Sequence, residues 1–217
     1  MRDFPVFTTE NGVGSITLKE VTYKGIAYIK IQSSLQPEAF LQECVDFCKM
    51  TGAEKIYASG HEMLEKYPLH TAIWQMSTLR MNLPETDAAL FPVTEKTADR
   101  WRSIYNEKMR PISNSSTMTS MDMDALIQQG GGYYVHRGED LLGIGIAQGD
   151  KVKSVIAVKP GAGETVMLAL CSCLSSERVV LEVASTNQPA LKLYERMGFL
   201  KTAELSRWYD VLTRKNT

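Results

Sequence analysis

The sequence predicts a mixed α/β, α+β-like fold, a central mixed sheet flanked by helices and preceded by a smaller ββαβα region. Three observations carry that prediction. Short runs rich in Val, Ile and Leu alternate with segments whose apolar residues recur at three- and four-residue spacing. The order strand, loop, helix, strand occurs twice, across residues 29–59 and again across 155–185, a weak internal likeness that reads the first region as half of the second. Finally, 217 residues with 44% hydrophobic and 23% charged side chains can bury a substantial core, as one large domain or two small ones.

Residues 15–21 and 26–32 read as strands of a hairpin across the turn-like Thr22-Tyr23-Lys24-Gly25. Pro37 sits in the first turn of a helix that carries Phe40, Leu41, Cys44, Val45 and Cys48, and Gly52 stops it. A short strand at 56–58 follows, then one or two helical turns across 63–74, broken near Pro68. Residues 80–86 lack periodicity and place a boundary there, dividing the chain into 1–85 and 86–217. The first region is open between packing on the second, where it would shape the acceptor side, and forming a homodimer contact.

In the second region a strand at 90–93 precedes a helix capped by Thr94, with Ala98, Trp101, Tyr105 and Met109 along one face and Pro111 ending it. Residues 114–120 are loop-like, 121–129 a short helix closed by Gly130-Gly131-Gly132, and 133–136 with 141–147 a hairpin. The apolar run 152–158 is a strand broken by Pro160-Gly161-Ala162-Gly163, which leads into a helix over about 165–174. A buried strand at 179–183, a helix opened by Gln188-Pro189 and closed by Gly198, and strands at 200–205 and 208–212 complete the chain.

Charge and composition exclude several functions. Twenty-four basic against twenty-five acidic residues leave a net charge of -1, which removes the bulk attraction on which non-specific nucleic-acid binding relies. No apolar run approaches the roughly 18 residues of a membrane helix, and no basic start leads into an apolar core, so the chain reads as cytoplasmic with no membrane partner. The cysteines fall in two close pairs, neither of them C-x-x-C, and read as reduced buried thiols. His61, His70 and His136 are scattered without ligand spacing, so no metal site is expected.

The strongest signal is the run from Asn187 through Ala190, Leu193, Tyr194 and Glu195 to Gly198 and Phe199, following the strand Leu181-Glu182-Val183. It resembles the strand-to-helix segment of the GNAT superfamily of acyl-CoA-dependent N-acetyltransferases, whose pattern N-x-x-A-x-x-L-Y-E-x-x-G-F it matches at every position. The order of elements from about Ala88 onward extends the likeness. On the residues alone, Asn187 can satisfy free backbone groups where the chain splays, and Ala190 allows close approach of helix to sheet. Gly198 supplies a left-handed turn that folds Phe199 back into the core.

That resemblance implies a GNAT-type domain over 86–217 that transfers an acetyl group from acetyl-CoA, as co-substrate, to a primary amine of a small molecule, a protein N-terminus or a lysine. Transfer needs a stabilised oxyanion, a base for the amine and protonation of the thiolate. The family supplies that proton from the tyrosine that matches Tyr194, whose alternative is a packed helix aromatic. Glu182 resembles the glutamate implicated in ribosomal-protein alanine N-acetyltransferases, and is open between the role of base and that of an outward residue on a half-buried strand. Backbone amides of Ile156, Ala157 and Val158 would meet the pantetheine arm. Gly161, Ala162, Gly163, Glu164 and Thr165 stand where the family's R/Q-x-x-G-x-G/A loop holds the pyrophosphate, with Gly161 and Gly163 open between that role and a tight turn, and Asn187, Ala190 and Tyr194 are the further cofactor-binding residues the resemblance implies. The loop departs from the pattern: the leading Arg or Gln is absent, Lys159 is the nearest cation, and Glu164 places an anion in the first helical turn. In similar proteins the acceptor side corresponds to residues 111–120 with Asn114, Ser115, Ser116 and Thr117, to 130–134 with Tyr133 and Tyr134, to Met118, Met121 and Met123, and to Trp208 and Tyr209. Taken singly, each reads rather as solvated loop for the Ser-rich stretch, core for Trp208 and gap-filling for the methionines. The altered loop keeps open an alternative, a GNAT-like module that binds acyl-CoA or a partner protein without turnover.

Overall fold

The computed structural model describes residues 5–213. Its contacts divide the chain into two compact units, one built from the chain up to Ala72 together with the stretch from Leu205 onward, the other from Ile73–Glu204.

The first unit contains β1 (Val6–Thr9), β2 (Gly12–Thr17), α1 (Lys19–Lys24), β3 (Ile26–Ser34), α2 (Pro37–Met50), β4 (Lys55–Ser59), a 3-10 turn (Glu62–Lys66), the start of β5 (Leu69–Leu79) and the end of β11 (Leu200–Asp210). Its sheet order is β1-β2-β3-β4-β11, with β3 and β4 parallel and the other neighbours antiparallel. Phe40, Leu41, Cys44, Val45 and Cys48 form the inward stripe of α2, as their spacing predicts, and pack on Ile16, Ile29, Ile31 and Ile56.

Two expectations in this stretch are corrected. Residues 19–24 form a helical turn rather than strand and hairpin turn. Glu20 is buried and paired with Lys24 at 3.3 Å, one helical turn away, and Gly25 ends the helix at φ 69°. Residues 69–79 form an eleven-residue strand, not helical turns: Tyr67, before Pro68, is extended (φ -94°, ψ 158°), and Thr71, Ile73 and Thr78 favour the pleat. The first region therefore runs β1-β2-α1-β3-α2-β4-β5 where ββαβα is expected: β1 and α1 are added and β5 stands in place of the second helix, and residues 200–210 form one strand instead of two.

In the second unit β6 (Ala89–Pro92), α3 (Ala98–Met109), α4 (Ser120–Gln129), β7 (Gly132–Arg137), β8 (Asp140–Gln148), β9 (Lys151–Ala157), α5 (Gly163–Ser172), β10 (Arg178–Ala184) and α6 (Gln188–Arg196) join the rest of β5 and β11. The sheet order is β11-β5-β10-β9-β8-β7-β6, and the mixed sheet flanked by helices expected from the sequence is present. Each sheet face carries a core. Val179, Leu181 and Val183 of β10 pack with α5 and α6 on one face, whereas Ile144, Ile146 and Ile156 pack with Trp101, Tyr105, Met123 and Leu126 of α3 and α4 on the other.

Two glycines in β8 seat α5 closely. A Cβ on Gly145 would lie 2.3 Å from Leu170 Cδ1, and one on Gly143 2.7 Å from Val166 Cγ2. Thr119 and Asp122 form a capping box at the start of α4, which fixes where the α3–α4 connection ends.

Candidate functional site

Strands β9 and β10 run parallel but pair only at Lys151 with Val180 and at Val152 with Leu181. Beyond those residues they do not pair. Against β8, Val152 pairs with Ala147 and Ser154 with Ile146, so Lys153 is an extra residue in β9 and bends the strand. The equivalent parallel pair of the first unit, β3 with β4, stays paired over five residues, and Gly60 brings the chain after β4 close against the Ile31 carbonyl. A gap between parallel strands is thus a feature of the second unit.

The main chain that faces this gap follows from the ladder. Val158 N–H donates to the Leu142 carbonyl at 2.9 Å, so by alternation Ile156 also points toward β8. Val155 and Ala157 point the other way, into the gap. Of the three amides expected there, only Ala157 is so directed; Val155 is added, and Ile156 and Val158 are engaged by β8. The bulge that sets this phase has no signature in the residues of the run, although Gly143 and Gly145 opposite it are a hint of close packing.

Beyond β9 the chain turns at Gly161 (φ 81°), where a Cβ would meet no atom within 4 Å, and enters α5. The N-cap of α5 is Ala162, which has no side-chain oxygen to offer, and the helix lacks a side-chain cap. The first-turn N–H groups of Gly163, Glu164 and Thr165 therefore have no side-chain cap and lie at the positive end of the helix dipole. Glu164 pairs with Arg196, at the end of α6, at 3.3 Å. Lys159 is held by Asp140 at 2.6 Å, and this contact keeps the Asp140 carboxyl below the ordinary carboxylate range.

Asn187 caps α6, its Oδ1 accepting from Ala190 N–H at 3.3 Å. One turn on, Tyr194 is 8% exposed and packs in the same core as Leu181, Val183 and Cys171, its ring 6.0 Å from that of Phe199. Gly198 (φ 84°) lets Phe199 N–H donate to the Tyr194 carbonyl at 2.9 Å, the local fold expected of this pair. Burial, with a smaller contribution from Cys171, pushes the Tyr194 phenol up to about 12. The neighbouring Cys171 thiol is likewise pushed up to about 12 by burial.

Two arrangements now stand together: parallel strands that part, and an uncapped helix entered through a glycine turn just after the parted strand. The fold is the GNAT fold. Solved structures similar to this chain include a GCN5-related N-acetyltransferase from Sphaerobacter thermophilus, 10% identical over 94% of this chain and 78% of that one, with a TM-score of 0.57. A second, from Kribbella flavida, also a GCN5-related N-acetyltransferase, is 11% identical over 100% and 91%, with a TM-score of 0.57. A conserved protein of unknown function from Staphylococcus epidermidis is 11% identical over 97% and 94%, with a TM-score of 0.62. No protein-family model matches the sequence, and no curated protein matches it. At these identities the likeness is one of fold.

Glu182 lies on the face of β10 opposite to Leu181 and Val183, and hence away from the core that holds Tyr194. Its half-exposed carboxylate is 3.8 Å from Lys151, and its strand partner is Gln75. Among the residues expected at the acceptor side, Asn114 has a left-handed backbone (φ 59°) and Ser115 Oγ donates to the Met109 carbonyl at 2.6 Å. Tyr134 is buried with its hydroxyl donating to the Thr97 carbonyl, Met123 is core, and Met121 is exposed. Trp208 and Tyr209 belong to the first unit, where Trp208 meets the edge of Tyr28 and Tyr209 is core.

A cleft of about 800 Å3 opens elsewhere, at the C-terminal end of α5, between Leu168, Cys171 and Ser172 and the segment that includes Arg80, Leu83 and Glu85. Ten residues of helix, roughly 15 Å, separate that end from Gly163. Among the described residues no helix is long and apolar enough to cross a membrane, and no group of three or more His, Cys, Asp or Glu is arranged to hold a metal ion.

Proposed function

We propose that the protein is an N-acetyltransferase that moves an acetyl group from acetyl-CoA to a primary amine by direct attack. The observation that carries the proposal is the parting of β9 and β10 beyond Val152 and Leu181, beside the uncapped start of α5. The residues present fit such a co-substrate: open space over Gly161, an alanine N-cap and first-turn amides suit a pyrophosphate, and the Val155 and Ala157 main chain suits an extended amide-bearing arm.

When bound, acetyl-CoA supplies an acyl carbon already activated for attack by an amine. In this reading Val155 and Ala157 orient the arm and the thioester oxygen through their N–H groups, and Gly163, Glu164 and Thr165 hold the phosphates. Tyr194 donates its proton to the departing sulfur. Burial pushes that phenol up to about 12, so it carries its proton when the sulfur departs. Glu182 receives the amine's proton from the other face of β10, through water. Arg196 exchanges Glu164 for a phosphate oxygen.

Acetyl-CoA at about 100 times its Kd should stabilise the protein by about 2.7 kcal/mol, visible as a rise in Tm. A panel of primary amines should then release free CoA thiol, and Tyr194→Phe should slow release by about 100-fold while the Tm rise persists. An unchanged melting curve would overturn the reading. Binding without turnover is the second reading, favoured by Glu164 at the phosphate position and by the burial of Tyr194; it expects the Tm rise, no thiol release with any amine, and no effect of Tyr194→Phe on binding.

A further inference from the structure

The cleft at the C-terminal end of α5 is walled by residues of the second unit alone, and the acetyl-transfer reading makes no use of it. A strap of residues 79–86 forms one wall. Its start is tied down: Arg80 N–H donates to the Glu177 carbonyl at 2.7 Å, Arg80 Nη1 donates to the Leu174 carbonyl at 2.6 Å, and Leu83 N–H closes a turn on the Arg80 carbonyl at 3.0 Å. At Leu83 the strap packs against the core again. About 800 Å3 is left between the strap and Leu168, Cys171 and Ser172 of α5, a volume ordinary for a small-molecule site.

Two properties of the walls select an occupant. The first is apolar surface. Leu168 and Cys171 are buried and form a floor, whereas on the rim Met81 is 86% exposed and Leu79 38% exposed. An apolar body seated on the floor takes that rim surface out of water. The second property is charge. Glu85 and Glu177 both line the cleft, and neither has an ion-pair partner among the described residues. The cation of the lining, Arg80, is held by the Leu174 carbonyl. Helix α5 also ends here without a basic residue in its last turn, so the negative end of its dipole adds to the two carboxylates.

We propose that this cleft binds an organic cation with an apolar body, the body over Leu168 and Cys171 and the charged head drawn to the carboxylates of Glu85 and Glu177. The site lies at the opposite end of α5 from Gly163, so it goes beyond the acetyl-transfer reading and does not rest on it. Selectivity for a cation follows from the count of charges in the lining, two carboxylates against one guanidinium already engaged with a carbonyl.

The test uses the full chain with benzyltrimethylammonium as the probe, a cation that carries no N–H and so cannot serve as an acetyl acceptor. Spectra of 13C-methyl methionine follow Met81, whose signal is assigned by its loss in Met81→Leu, and calorimetry gives the affinity. The Met81 signal should shift saturably, with a Kd on the order of 1 mM for a ligand this small. Replacing both carboxylates, Glu85→Gln with Glu177→Gln, should weaken binding about fivefold, and the difference should shrink as salt rises. Ser172→Phe, at an exposed position of the wall, should fill the cleft and abolish the shift while the protein melts close to the wild type. A Met81 signal that does not move, or a shift that neither change alters, would overturn the proposal. Equal or tighter binding of phenylpropionate would overturn it as well, because Arg80 would then be reading an anion.

Discussion

Gly143→Ala tests how the gap is held open. Gly143 faces α5 from β8, opposite Ala157, and a methyl there would lie 2.3 Å from the Ile156 carbonyl oxygen and 2.7 Å from Val166 Cγ2. No φ strain is involved; the conflict is steric, and its nearer partner is main chain that cannot rotate away. Overpacking of this kind costs about 1–3 kcal/mol. In a chain of this length each kcal/mol lowers Tm by about 2–4 °C, so a fall of roughly 2–12 °C is expected in a circular-dichroism melt. Adding Val166→Ala removes the side-chain contact alone and should recover only part of the loss, because the carbonyl remains. The acetyl-CoA-induced Tm rise should also shrink, since β9 and the start of α5 are displaced together. A Gly143→Ala protein that melts with the wild type would refute the close seating of α5 on β8.

Further outcomes are expected elsewhere. Glu164→Gln removes an anion from the first turn of α5 and frees Arg196, so acetyl-CoA should bind about two- to fivefold tighter by calorimetry at low salt, with the gain fading as salt rises. Weaker or unchanged binding would count against phosphates at this turn. Stability should also fall on the alkaline side. The Cys171 and Tyr194 groups stand at about 12 when folded, against 9.0 and 10.0 as unperturbed groups. The unfolded chain therefore loses these protons first, and stability complete below about 9 is lost as pH rises toward about 12. Cys44, at about 12, and Cys48, at about 11, act in the same direction in the first unit. A Tm that stays level across that range would contradict the burial of these groups.

Elements with strong periodicity and punctuation could be read from the residues. The stripe of α2, the proline start and glycine end of α6, and the β7–β8 hairpin each follow from side-chain spacing and turn chemistry. Strand β5 could not, because Met63, Leu64, Tyr67 and Leu69 mimic helical spacing until Pro68 is allowed to force extension and the chain finds β10 as a partner far along the sequence. The short helix α1 was hidden for a similar reason, since a buried Glu20 is plausible only once Lys24 lies beside it. At the candidate site the legible part was local, the Asn187 cap of α6 and the glycine turn that brings Phe199 N–H to the Tyr194 carbonyl. The phase of β9 was not legible, because an extra residue in a ladder depends on the opposing strand, and that phase decides whether Val155 or Ile156 faces the gap.

The path of the chain through β5 and β11 bears on how the protein is made. Strand β5 starts in the first unit and finishes in the second, and β11 does the reverse, so residues near the C-terminus provide the last strand beside β4. During synthesis at about 5–20 residues per second, the early part of the chain must wait on the order of ten seconds or more for that strand to emerge. Until then that side of β4 is an open strand edge, the kind of surface on which other strands can pair. A shortened transcript that ends before Leu205 would leave that edge uncovered for good.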